Sequence, residues 1–94
     1  MRHILKIEEK WFERIHAGQK TSEVRFNDRD YQTDDTIIFQ PVNSDGNVLI
    51  KPYDLPTYEI THVLNSSQFP QGLQDGYCIL SIQPLKQIKE GQDR

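Results

Sequence analysis

Apolar residues change their spacing several times along the chain, and each change marks an element. From His3 to Ile7 they alternate, with His3, Leu5 and Ile7 on one face and Ile4 and Lys6 on the other, which predicts a strand. From Glu8 to Ala17 the period lengthens: Ile7, Trp11 and Ile15 recur every fourth residue and Phe12 broadens the stripe. Glu9, Lys10, Glu13 and Arg14 fall largely outside it, so the segment reads as an amphipathic helix laid on a sheet. At this spacing Trp11 is expected in the core or at its edge, as part of the apolar surface that docks the helix. Gly18 stands where the helix should stop, because glycine readily takes the left-handed conformation that turns a chain away from its last helical turn. Alternation then resumes over Ser22–Phe26, with Val24 and Phe26 on one face and Glu23 and Arg25 on the other. A carboxylate and a guanidinium therefore share a strand face.

The next stretch, Asn27 to Asp35, is polar and turn-prone. Thr36–Val42 reads as a strand with Ile37 and Phe39 facing one way and Ile38 the other, which suggests a central position. Asp45-Gly46 is a hairpin signal, and Val48-Leu49-Ile50 is expected to return as a strand. Pro52 and Pro56 bracket an edge or loop piece. Tyr58 to Leu64 forms a further strand in which Tyr58, Ile60, His62 and Leu64 share a face. After a loop from Asn65 to Asp75, Gly76 opens the last strand, Tyr77–Ile82, whose Cys78, Leu80 and Ile82 point inward. Six short strands and one early helix make an α+β chain, and the pattern alone fits a small barrel or an open sheet. Residues 1–85 are expected to form one domain, followed by a polar, fraying tail over 86–94.

Composition narrows the function. Ninety-four residues allow one modest core. The net charge of −3 argues against binding nucleic acid by bulk electrostatics. The distribution is uneven: residues 1–29 hold seven of the eleven Lys and Arg against five acids, and residues 30–94 hold four against nine. That asymmetry fits either a basic site or an ordinary charged helix face. The single cysteine allows no intramolecular disulfide, and no segment reads as a membrane span or export signal, so a cytoplasmic protein is expected. His3, His16, His62 and Cys78 lack the paired spacings of a zinc site, and no phosphate loop, dinucleotide fingerprint or nucleophile elbow is present. Neither metal nor cofactor is expected.

Gly18, Lys20, Glu23 and Arg25 reproduce the GxKxxExR motif of the ASCH superfamily, and the chain resembles a small bacterial or phage branch of it over nearly its whole length. The resemblance rests also on the strand at His3–Ile7, the helix bearing Trp11 and Phe12, the run Asn27-Asp28-Arg29-Asp30-Tyr31, and the closing strand at Gly76–Leu80. It implies a PUA-like β-barrel of about six strands with one helix after the first strand, and a link to RNA.

Under that resemblance Lys20, Arg25, Asn27, Arg29 and Tyr31 are the expected nucleic-acid-binding residues, in a non-catalytic module that takes a single-stranded or flipped nucleotide. Arg25 would hold a phosphate or base edge through its planar fork, and Glu23 would accept from an exocyclic amine or orient Lys20. Each residue also has a plainer reading: Lys20 as a solvated loop lysine, Glu23 and Arg25 as an ion pair fixing the barrel mouth, Asn27-Asp28-Arg29 as a hydrogen-bonded turn. Strict alternation puts Lys20 and Glu23 on opposite faces, so they meet only through a turn or bulge near Lys20. Tyr31, Tyr53 and Phe69 either stack a base or anchor their loops. One alternative is a metal-independent hydrolase with Lys20 and Glu23 as catalytic groups, either a ribonuclease or similar to the acetylcytidine amidohydrolases of the superfamily. The nucleophilic threonine of those enzymes is replaced here by Glu23, which weighs against the same mechanism. A protein-interaction module of phage or host regulatory origin is the third reading.

Overall fold

The computed structural model describes residues 1–85, and the expected polar tail over 86–94 lies outside them. The first alternating run becomes β1 (Arg2–Glu8), which buries His3, Leu5 and Ile7 and exposes the residues between them. It is followed by α1 (Glu9–His16), β2 (Ser22–Phe26), β3 (Thr36–Val42), β4 (Tyr58–Asn65) and β5 (Tyr77–Pro84), with 3₁₀ turns at Pro52–Asp54 and Ser66–Gln68. The five strands form one sheet in the order β1-β3-β4-β5-β2. β1 and β3 run parallel, and the other pairs are antiparallel.

The sheet curls into a half-barrel whose concave side holds the core. Leu5 and Ile7 of β1, Ile37 and Phe39 of β3, Tyr58 and Ile60 of β4, and Cys78, Leu80 and Ile82 of β5 pack there, joined by Ile15 of α1 and Tyr31. Each such side chain withdrawn from water stabilises the fold by about 1.5–3 kcal/mol. An eight-residue helix is too short to persist alone, so α1 depends on that docking. Its seat is Ile15, with Phe12 partly buried beside it.

Trp11 is 41% exposed, so of the two expected places, in the core or at its edge, it takes the edge. The short helix presents the Phe12–Ile15 side to the sheet, and Trp11 stays at the rim with the Lys10 ammonium 4.8 Å from its ring centre. Gly18 ends the helix as expected, at φ +79°. The Gln19 N–H donates to the Arg14 carbonyl at 2.9 Å and the Gly18 N–H to Ile15 at 3.0 Å, the paired bonds of a Schellman stop.

Among the described residues the strand count is five, not the six expected. Val48 makes one antiparallel bridge to Val42 after the Asn43–Asn47 turn, flanked by bonds from Asn43 N–H to Asn47 O (3.0 Å) and from Leu49 N–H to Pro41 O (2.9 Å). The next rung would require an N–H at position 41, and proline has none, so the ladder ends there. A second correction concerns β4. Its register slips between Ile60 and His62, so Thr61 forms a bulge, His62 faces out and Val63 packs against the core.

Candidate functional site

β1 and β2 form the two edges of the half-barrel, and β2 is built inside out. Its register with β5 sets Glu23 beside Leu80 and Arg25 beside Cys78, so both charged side chains face the concave side. Val24 and Phe26 take the outer face and are 56% and 54% exposed. Charged groups withdrawn from water must be paired, and these are.

Glu23 is the hub: its Oε1 accepts from Lys20 Nζ at 2.6 Å and its Oε2 from Arg25 Nε at 2.9 Å. Lys20 also donates to the Ser22 carbonyl. The Schellman turn delivers Lys20 to Glu23, because the N–H groups of both Gln19 and Lys20 bond the Arg14 carbonyl before β2 begins. Arg25 Nη2 then crosses the seam to the Lys6 carbonyl of β1 at 2.8 Å.

A cleft of about 370 Å³ opens along that seam. Its walls come from Lys6 of β1, Gln40 of β3, Arg25 and Phe26 of β2, and Asp28, Arg29 and Tyr31 of the following loop. Three cations and one carboxylate thus line one cavity, in a chain whose net charge is −3. Two of the five N–H donors of Arg25 are used by Glu23 and Lys6, leaving the rest for a ligand.

The loop that carries Asp28, Arg29 and Tyr31 is tied down at both ends. Asn27 donates through Nδ2 to Asn65 Oδ1 at 3.1 Å and accepts from the Tyr31 N–H at 3.0 Å. At the other end Asp35 Oδ2 accepts from the Gln32 N–H at 3.0 Å and lies 2.9 Å from His3 Nε2, while Oδ1 accepts from the Met1 amine at 2.9 Å. Burial raises the Asp35 pKa, but the bonds from His3, the Met1 amine and Gln32 outweigh it and hold the carboxyl at about 2. The Tyr31 ring meets His3 edge-on, with centroids 4.9 Å apart. Burial raises the Tyr31 hydroxyl pKa, with Arg25 and Arg29 pulling it down and Asp28 up.

Of the expected site residues, Arg25, Arg29 and Tyr31 come together in the cleft. Lys20 meets Glu23 but lines a separate hollow of about 290 Å³ with Trp11, Glu23 and Val24. Asn27 lies outside the cleft lining, and its amide ties the loop through one bond at each end. Tyr31 is only 3% exposed, so it anchors the loop and offers no ring face for stacking. Tyr53 and Phe69 are exposed outside the cleft, and Cys78 is fully buried, its thiol pKa raised by burial. Lys6, Phe26 and Gln40 were missed: nothing local marks Lys6 or Gln40, whereas Phe26 was visible as an aromatic next to the motif arginine.

Fold and site together define a small α+β protein: a curled five-stranded half-barrel with one helix after the first strand and a polar cleft at the seam. The chain belongs to the family described as a domain of unknown function, DUF3850, which matches residues 2–82. It is similar to the crystal structure of hypothetical protein PH0355, with 17% sequence identity and a TM-score of 0.56 over 90% of this chain and 100% of that one. At that identity the likeness concerns the fold alone. No curated protein matches the chain. Among the described residues, no helix is long and apolar enough to cross a membrane.

Proposed function

We propose that the seam cleft binds one nucleotide of a single-stranded RNA, and that the chain is a PUA-like, ASCH-type RNA-binding module. The observation that carries this reading is the meeting of Lys6, Arg25 and Arg29, from three separate segments, in one 370 Å³ cleft. That volume lies in the usual range for small-ligand sites, about 300–1,000 Å³. The GxKxxExR spacing at Gly18, Lys20, Glu23 and Arg25 supports it by resemblance. With Arg25 held by Glu23 on one side and the Lys6 carbonyl on the other, its guanidinium is pre-set toward an anion, which lowers the ordering cost of binding. Because only three cations line the cleft, salt dependence is shallow, with a slope of log affinity against log salt of about −2.

Titrating wild type and Arg25→Ala into a labelled short RNA and its DNA counterpart, followed by fluorescence anisotropy, tests the reading. RNA binding stronger than DNA binding, and lost in the variant, is expected; equal RNA affinity of both proteins contradicts it. The hydrolytic reading ranks second. Lys20 and Glu23, the catalytic pair of that reading, line a separate hollow of about 290 Å³ and not the cation-lined cleft.

A further inference from the structure

Phe26 lines the cleft without joining the core. It is 54% exposed, follows the seam-crossing Arg25 directly, and lines the same cavity as Arg29 and Lys6. An exposed phenylalanine costs hydration free energy, yet this one is held in place. Gly76, at φ +87°, lies so close beneath the ring that a Cβ there would sit 2.5 Å from Phe26 Cε1. Tyr77 meets the ring edge-on, with centroids 5.4 Å apart and planes at 75°. Phe26 is thus braced by Gly76 and Tyr77 while half of its surface stays open beside a cluster of cations.

Resting on the nucleotide-binding reading of the cleft, we propose that Phe26 is its stacking platform: an unpaired base lies on the phenyl ring while Arg25, Arg29 and Lys6 take the adjoining phosphate. Charge complementarity selects this occupant over an apolar peptide, because three cations, Lys6, Arg25 and Arg29, line the cavity beside the ring against the single carboxylate of Asp28. Stacking on a ring accepts every base, so the site discriminates single strands from duplex and shows little sequence preference.

The test uses the full chain and a short single-stranded RNA carrying a fluorescent adenine analogue whose emission is quenched by stacking. Phe26→Leu keeps an apolar side chain over Gly76 but removes the ring, and Phe26→Tyr restores it. The expected results are quenching with wild type and Phe26→Tyr, loss of quenching in Phe26→Leu, and an affinity about tenfold weaker in that variant, equivalent to ~1.4 kcal/mol. Wild-type affinity and quenching in Phe26→Leu, with binding still lost in Arg25→Ala, would overturn the stacking role and leave the cleft reading intact. Absence of RNA binding by the wild-type protein would overturn both.

Discussion

β5 and β2 are hydrogen-bonded neighbours with opposite chemistry on the same face of the sheet. β5 turns Cys78, Leu80 and Ile82 inward and buries all three, whereas β2 turns Glu23 and Arg25 inward and leaves Val24 and Phe26 outside. A strand that obeyed the hydrophobic effect alone would be flipped by one residue. What holds β2 in its observed register is the set of bonds that Glu23 makes to Lys20 and Arg25, together with the bond from Arg25 to Lys6. The comparison separates a strand shaped by burial from one shaped by a site, and substitutions on the two should fail differently.

The largest expected loss lies on the burial strand. Leu80→Ala removes a fully buried side chain and should cost about 3 kcal/mol in urea unfolding. On β2, Glu23→Ala leaves Lys20 and Arg25 without their shared anion and should cost about 2 kcal/mol, less than a fully buried break because both cations retain some exposure. The double change Glu23→Leu with Arg25→Leu sharpens the contrast. It should recover most of that stability and bind no RNA, since apolar replacement of an ion pair is often tolerated while the site is gone. If the double variant unfolds as readily as Glu23→Ala, the pair serves folding more than function.

Asp35 provides a second charged hub for comparison, and its signature is pH. Its folded pKa of about 2 lies below the ordinary 3.8, so the unfolded chain takes up the proton first. The stabilisation is complete above the ordinary value and is lost as pH falls through about 2. Urea midpoints of wild type and Asp35→Asn should therefore converge on acidification through this window; parallel curves would contradict the assignment. A smaller effect is expected for Gly76→Ala, about 1 kcal/mol, because the position has positive φ and the new Cβ would displace the Phe26 ring. Trp11→Ala should be smallest, under about 0.5 kcal/mol, since the helix docks through Ile15 and Phe12. A cost of several kcal/mol there would place Trp11 in the core.

Much of this architecture was legible where alternation or a stop signal is local. The two faces of β1, the inward face of β5 and the helix follow from spacing, and the helix end follows from the glycine at position 18. The face-sharing of Glu23 and Arg25 was legible for the same reason, but which face points inward was not, because alternation is symmetric and the usual apolar-in rule fails at this edge. The missing sixth strand was written in Pro41, whose absent N–H stops the ladder. The bulge at Thr61 carries no glycine or proline to announce it. Lys6 and Gln40 enter the cleft only because the sheet curls until β1 and β2 approach, a long-range outcome that no local pattern encodes.

The most direct test of the seam as a nucleotide site is a residue-resolved NMR titration of the amide signals with a short single-stranded RNA. The account predicts saturable shifts centred on Lys6, Arg25, Phe26, Arg29 and Gln40, with the turn at Asn43–Asn47 silent. Shifts confined to that turn and the Val48–Tyr53 segment, or none at all, would contradict it.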